Sequence, residues 1–331
     1  MVARGTLSAC LLLAAGIGCE GTHAKVVKDP PPLAVHDTGT ACDVEVLQVT
    51  PESGATNVYW RDDIRVVFAD YAAPASITLT SAGGVVVDTN LSWDDVRMNV
   101  RIVPADALEA STTYTVAIEG CGDPTSFEFT TGAWGSPLTI DVSELIGRVY
   151  NVDLAGADYE KPEGLGTLLG LYLTEPLLFQ VTGVTETTIT LMGAQGKLDG
   201  QTGEIVQNRA FRTWDFGTVS FADNPFFGAT SPGIVIDYDG SVIPMHNFYV
   251  GGTFSEDGTE LGGAMASGYG DTRDMGPLMQ LGDDPDAVCD FAAGLGLECV
   301  ACPDGNNWCL EIEAHFDDAE WLEGLDLVEV N

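Results

Sequence analysis

Short apolar runs that alternate with polar residues, separated by turn residues, recur along most of this chain. Val44–Val49 and Ile64–Phe68 have a period of two, which is the pattern of a strand with one buried face. The 39 glycines and 16 prolines favour many turns over long helices. The sequence therefore predicts a mainly all-β protein.

The N-terminus has the features of an export signal. Met1–Arg4 carries one positive charge, and Leu7–Ile17 is an apolar run of about eleven residues, shorter than the roughly 20 that span a bilayer. Gly16-Ile17-Gly18 before Cys19 resembles a bacterial lipobox, with Gly16 where such motifs usually have leucine. The resemblance implies a signal peptide over residues 1–18 and a lipid on Cys19. The alternative is cleavage after Ala24, which would release the protein.

Residues 19–41 are predicted to be a disordered tether. They contain Pro30-Pro31-Pro32 and polar residues without apolar periodicity, and a flexible chain of this length reaches roughly 25 Å. Together with Cys19, they indicate a lipid-anchored protein of the cell envelope. The expected location is the outer membrane, facing the cell surface or the periplasm.

Seven alternating runs in residues 42–132 predict an Ig-like sandwich of two sheets. The segment contains Pro51-x-Ser53-Gly54-Ala55-x-Asn57-Val58 and ends with Phe127-x-Phe129-Thr130-Thr131-Gly132. These motifs resemble the bacterial Ig-like domain of the S-layer SbsA type. The resemblance implies a spacer or binding module at the cell surface rather than an enzyme.

Residues 136–331 form a second, larger domain for which the sequence suggests no family. Asp-Gly turns between apolar runs, as in Leu198-Asp199-Gly200, predict an antiparallel meander or a barrel. One or two short helices are expected at Gly164–Leu173 and Thr272–Gln280, and a further one around Asp317–Gly324. The candidate strands are Arg148–Leu154, Leu177–Val181, Thr188–Met192, Thr218–Phe221, Gly233–Tyr238 and Phe248–Phe254.

Six of the eight cysteines follow the leader, which contains Cys10 and Cys19. An even number in an exported chain predicts disulfides. In an Ig-like sandwich the start of the first strand and the end of the sixth lie at the same pole, so a Cys42–Cys121 bridge is predicted. It would close a loop of about 80 residues and contribute roughly 4 kcal/mol.

The segment 289–309 contains the other four cysteines. Pro303-Asp304-Gly305 is a turn that places Cys302 opposite Cys309, and this leaves Cys289 to pair with Cys299. The alternative is a zinc site with four thiolate ligands, because Cys299 and Cys302 have the spacing of zinc ligands.

The charge balance is strongly acidic, with 50 Asp and Glu against 13 Lys and Arg and a net charge of -37. Such a surface repels nucleic acid and attracts cations. Asp237-x-Asp239-Gly240-Ser241 begins like a calcium loop, although the later ligands of an EF-hand are missing. Asp237 and Asp239 are therefore weak Ca²⁺ candidates, and no other cofactor is predicted.

No catalytic motif is found: the sequence lacks Gly-x-Ser-x-Gly, His-Glu-x-x-His and a P-loop. His246 is predicted to be structural, and His315 to face solvent. The expected function is non-enzymatic binding or adhesion, in which the Ig-like domain presents the acidic domain to a surface protein, a glycan or a cation. One alternative is a small-ligand carrier with an aromatic-lined pocket in a C-terminal barrel. Another is an unrecognised secreted hydrolase, in which a histidine would meet a carboxylate and a hydroxyl.

Overall fold

A computed structural model describes residues 44–72, 75–120, 123–162, 175–238 and 241–331. Within these ranges, the side chains of Asp237, Tyr238, Ser241, Asp317 and Asp318 are not described. Residues 42–331 form one compact unit. This unit contains two large and separate hydrophobic cores, one in each of the two predicted β-domains.

Nine short strands form the first domain. They are β1 (Val46–Thr50), β2 (Ala55–Val58), β3 (Ile64–Phe68), β4 (Ser76–Ser81), β5 (Val86–Val87), β6 (Thr89–Trp93), β7 (Asn99–Pro104), β8 (Thr113–Glu119) and β9 (Thr125–Thr131). One sheet has the order β1-β3-β7-β6, and the other has the order β2-β9-β8-β4-β5 with β2 parallel to β9. Alternate residues such as Val66 and Val116 point into the core between the sheets. The predicted two-sheet sandwich is confirmed.

The second domain also contains two packed sheets. Its strands are β10 (Val149–Val152), β11 (Asp158–Lys161), β12 (Leu177–Val184), β13 (Thr188–Leu198), β14 (Ile205–Gln207), β15 (Trp214–Ser220), β16 (Phe226–Tyr238), β17 (Ser241–Phe254), β18 (Glu260–Asp271) and β19 (Cys309–Glu320). The first sheet has the order β10-β12-β13-β14, and β15 also pairs with β13. The second has the order β11-β19-β18-β17-β16, which confirms the predicted antiparallel meander.

Aromatic rings fill the space between the two sheets of the second domain. The ring of Phe254 lies 5.4 Å from Tyr150, 5.9 Å from Phe221 and 5.2 Å from Phe227, measured between centroids. The cluster continues through Phe179, Phe216 and Phe248. These rings contact one another in the interior where the carrier hypothesis placed its pocket.

Within the described residues, helices are few, and neither of the two lies where one was predicted. A 3₁₀ helix covers Val142–Leu145, and the α-helix α1 covers Ala287–Gly294. Thr272–Gln280 forms turns instead of a helix, because Pro277 has no N–H to donate and follows Gly276. The predicted helix around Asp317–Gly324 is also wrong, because pairing with β18 keeps the chain extended as far as Glu320.

One predicted helix cannot be compared with the structure, because Gly164–Leu173 lies outside the described residues. In the part of the chain that is described, no helix is long and apolar enough to cross a membrane.

Two disulfides bind the C-terminal segment together. Cys289 on α1 is bonded to Cys299, and Cys302 is bonded to Cys309 at the start of β19. This is the connectivity that the Pro303-Asp304-Gly305 turn predicts. The four sulfur atoms thus form two disulfide bonds and do not act as zinc ligands.

Candidate functional site

The loop after β2 places polar and aromatic groups of the first domain against strand β17 of the second. The hydroxyl groups of Tyr59 and Thr253 are 2.6 Å apart, and Trp60 Nε1 donates a hydrogen bond of 3.1 Å to Thr253 Oγ1. Thr253 is fully buried. Arg61 adds an ion pair of 3.0 Å with Asp223. The two domains are therefore joined by specific side-chain contacts as well as by the chain itself.

Glycines on strand β18 allow aromatic rings to lie directly on its backbone. A Cβ atom at Gly262 would come within 2.1 Å of the Trp134 ring, and one at Gly263 within 2.3 Å of the Tyr59 ring. Gly263 also has a positive φ of 53°. Side chains at these two positions would push the first domain and the interdomain linker away from the sheet.

Next to these contacts lies an open cleft of about 670 Å³, which both domains line. This volume is within the range of small-ligand sites. Four of its lining residues are half-buried aromatics: Tyr59, Trp134, Phe226 and Tyr249. Its polar groups include Asn57 and Asp62 from the first domain, and Asp158 and His315 from the second. The cleft thus combines apolar ring surface with hydrogen-bonding groups.

Arg61 shows that the aromatic wall accepts a cation. Its guanidinium group lies 4.7 Å from the centroid of Trp60 and 3.9 Å from that of Phe226, within cation–π range. The paired Asp223 balances the charge of Arg61. The other charged side chains in the cleft lining are acidic, apart from the titratable His315.

Partial burial shifts the titration of several groups in the cleft. Loss of solvation raises the pKa of Asp62, although the hydrogen bond from the Tyr59 N–H and the charge of His315 act in the opposite direction. Burial also raises the pKa of the Tyr59 and Tyr249 hydroxyl groups. Both phenols are therefore neutral at physiological pH, and each hydroxyl can donate as well as accept hydrogen bonds.

The two histidines of the folded region each lie near carboxylates. His246 Nε2 is 3.8 Å from Asp271, which itself forms a bidentate contact with Arg273. His315 is 41% exposed, lines the cleft and has Nε2 at 3.5 Å from Glu313. Among the described residues, the Nε2 atom of neither histidine has a hydrogen-bond partner, such as the hydroxyl or thiol of a nucleophile–base pair.

Several residues predicted to form sites cannot be placed. Cys19, Cys42, Cys121 and Asp239 lie outside the described residues, and so does the side chain of Asp237. The lipid anchor, the Cys42–Cys121 bridge and the Ca²⁺ candidates therefore stay predictions.

The cleft residues of the first domain were not recognised from the sequence. Tyr59 and Trp60 follow the Asn57-Val58 end of the Ig-like motif, and Trp134 is in the short linker between the domains. Large aromatic residues at a turn and in a linker are a usable signal, because neither position belongs to the core pattern of a strand.

Comparison with known families identifies the first domain. Residues 41–131 match the family model described as bacterial Ig-like domain. This agrees with the Ig-like domain predicted for residues 42–132. No curated protein sequence matches the chain significantly.

Solved structures give distant matches. LD transpeptidase LdtMt1 in complex with imipenem is 13% identical, with a TM-score of 0.22, over 62% of this chain and 74% of that one. An L,D-transpeptidase from Mycobacterium tuberculosis H37Rv is 13% identical, with a TM-score of 0.22, over 63% of this chain and 76% of that one. The N-terminal part of the bacterial S-layer protein SbsC is 15% identical, with a TM-score of 0.23, over 50% of this chain and 42% of that one. At these TM-scores the matches establish neither a shared architecture nor a shared activity.

The Ig-like domain and the two disulfides define the class of protein. Disulfides persist in oxidising compartments outside the cytoplasm. A bacterial Ig-like domain followed by a disulfide-stabilised β-domain therefore indicates an extracytoplasmic protein of the cell surface.

Proposed function

We propose that this protein is a non-catalytic binding protein of the bacterial cell envelope and that its interdomain cleft binds a glycan. The observation that supports this is the group of four half-buried aromatic rings beside amide and carboxylate groups in one open cleft. Sugars have apolar C–H faces that stack on aromatic rings. Their hydroxyl groups hydrogen-bond to carboxylates, amides and tyrosine hydroxyls.

The charge of the protein narrows the choice of glycan. The net charge is -37, and Asp62 and Asp158 stand at the cleft itself. Polysaccharides with carboxylate or sulfate groups would be repelled. Neutral sugars and amino sugars fit this environment, and an ammonium group would gain both carboxylate and cation–π contacts.

The proposed position of the protein follows from its N-terminus. A lipid on Cys19 would hold it in the outer membrane, and residues 19–41 would separate the folded unit from the anchor. The Ig-like domain then serves two purposes, as a spacer and as one wall of the cleft. Cys19→Ser is expected to move the protein from the membrane fraction to the soluble fraction. Continued membrane retention of the variant would contradict the anchor.

A glycan array tests the binding function. The purified chain is expected to bind neutral or amino-sugar oligosaccharides and to ignore uronic-acid and sulfated ones. Tyr249→Ala should abolish the signal, because it removes one ring from the cleft wall. The control is Phe291→Ala, which removes an exposed aromatic ring from helix α1, outside the cleft lining.

Two outcomes would overturn the proposal. One is the absence of any glycan signal, or a preference for anionic sugars. The other is the release of reducing ends from a bound oligosaccharide, which would favour the hydrolase alternative.

A further inference from the structure

Strand β11 brings charged residues from the middle of the chain against β19 near its C-terminus. Asp158 is paired with His315, and Lys161 with Glu313, with a β-bulge between Tyr159 and Lys161. The bulge leaves Glu160 as an extra residue. Such bulges change the direction of a side chain and occur frequently beside functional sites.

As a result, three potential metal ligands converge. His315 Nε2 is 3.5 Å from Glu313 Oε1 and 4.0 Å from Glu160 Oε1, and one ligand atom from each residue lies within 4.8 Å of the others. The Nε2 atom is shielded from solvent and has no hydrogen-bond partner among the described residues. Two carboxylates thus face a nitrogen without hydrogen-bonding to it.

These separations suit ligands of one metal ion. Zinc binds imidazole nitrogen and carboxylate oxygen at about 2.0–2.2 Å, so tetrahedral ligands lie about 3.4 Å apart. The observed distances are slightly longer, and side-chain rotations of the two glutamates would close the difference. A direct hydrogen bond from the imidazole would instead require a distance below about 3.2 Å.

Lys161 holds Glu313 in an orientation that leaves one oxygen available. Its ammonium group is 3.2 Å from Glu313 Oε2 and 2.8 Å from Glu311 Oε1. Glu313 Oε1 is the oxygen that faces His315. Groups that orient a ligating carboxylate in this way commonly support metal sites. Acidic groups still outnumber the lysine here, so the local field favours a cation.

We propose that Glu160, Glu313 and His315 bind a divalent transition-metal ion, with zinc the best match. Zinc accepts imidazole nitrogen and carboxylate oxygen as ligands, whereas Ca²⁺ takes six to eight oxygens. Three protein ligands leave a position for water or another ligand. Because His315 also lines the cleft, the ion lies at the edge of the cleft. This site is formed by its own residues and does not depend on glycan binding.

Calorimetric titration with zinc chloride tests the site directly. The purified full-length chain, freed of metal with EDTA and then dialysed, is expected to bind one equivalent of Zn²⁺ and to melt at a higher temperature. His315→Gln and Glu160→Gln should each lower the affinity by about 10- to 100-fold or more. Co²⁺ at the same site should give a visible absorption band that His315→Gln removes.

Two controls separate this site from other histidines. His246→Gln removes the imidazole near Asp271, a carboxylate already occupied by Arg273, and should leave zinc affinity unchanged. A His23→Ala/His36→Ala double variant removes the tether histidines and should also bind normally.

The proposal is overturned if the wild type does not bind zinc, or if His315→Gln binds with unchanged affinity. Loss of binding in the tether double variant would also overturn it. If circular dichroism shows that His315→Gln does not fold, Glu160→Gln decides the outcome, because Glu160 is exposed.

Discussion

The cores of the two β-domains differ in their share of aromatic side chains. The first has strands of two to seven residues, and aliphatic residues such as Ile64, Val66 and Val116 make up much of its core. The second has strands of up to 14 residues, and aromatic rings around Phe254 make up the centre of its core. Phe68 and Phe129 are also buried in the first core, but in the second core the single ring of Phe254 contacts three other rings.

The surfaces through which the two domains contact each other also differ. On β18 of the second domain, the backbone at Gly262 and Gly263 receives the rings of Trp134 and Tyr59. The first domain supplies the ring of Tyr59, which lies on Gly263. Close packing of rings on glycine therefore does two things: it joins the domains, and it shapes the aromatic wall of the cleft.

The largest effect is expected from removing the ring at the centre of the aromatic cluster. Phe254→Ala leaves a cavity among Tyr150, Phe221 and Phe227 and should lower the free energy of unfolding by about 3–5 kcal/mol. Phe129→Ala in the first domain, where the ring stacks on Tyr114, should cost less. Urea denaturation measures both. A larger loss for Phe129→Ala would break the contrast between the cores.

The next largest effect concerns the C-terminal disulfides. The Cys302→Ser/Cys309→Ser double variant opens a bridge with a sequence separation of 7 and should lose about 2–3 kcal/mol on a loop-entropy estimate. The loss of stability should be local. Limited proteolysis should therefore cleave the chain near Trp308 earlier than it cleaves the Ig-like domain. Equal protection of the double variant and the wild type would show that the packing of Val288, Ala292 and Leu310 holds this segment without the bridge.

A smaller effect is expected at the junction of the domains. Thr253→Val removes the acceptor of Trp60 Nε1 and the partner of the Tyr59 hydroxyl, which should cost about 1–3 kcal/mol. Thr190→Val, at an exposed threonine pair on β13, is the matched control and should change little. Chemical denaturation gives the energies. Small-angle scattering should show a more extended Thr253→Val variant, and an unchanged scattering curve would contradict the role assigned to this contact.

The smallest effect depends on pH. Hydrogen bonds from Arg273 hold the pKa of Asp271 below its ordinary value. The stabilisation is therefore complete above the unfolded pKa of about 3.9 and is lost as the pH falls through the lower folded value. Asp271→Asn should lower stability at neutral pH by no more than about 1 kcal/mol, since Arg273 is partly exposed. The difference from wild type should vanish in acid. A stability difference that stays constant with pH would contradict the assignment of this stabilisation to ionised Asp271.

The first domain could be predicted well because its strands alternate. β3 was located residue for residue, whereas β2 and β6 were missed because most of their side chains are at least partly exposed and carry no apolar period. Strand β18 was missed for a different reason. Its glycines and alanines have low strand propensity, and its long pairing with β17 and β19 overrides that preference.

The cleft could not be predicted, because its parts are far apart in the sequence. Tyr59, Trp134, Tyr249 and His315 come from four separate segments, and only the docking of the domains brings them together. Likewise, Glu160 lies near His315 because of a β-bulge that the local sequence pattern does not predict. The disulfide pairs were predictable because a turn of three residues fixes Cys302 opposite Cys309.

The most direct test of the account is whether one ligand touches both walls of the cleft. An oligosaccharide identified on the array should be titrated calorimetrically into the wild type, Asn57→Gly in the first domain and Asp158→Ala in the second. Glycine replaces Asn57 because this residue has a positive φ of 62°, which alanine disfavours. Both variants should fold normally and bind at least about tenfold more weakly, the loss of roughly one hydrogen bond to a polar group. Unchanged affinity of Asn57→Gly would mean that the first domain is only a spacer, and would contradict a binding site built by the two domains together.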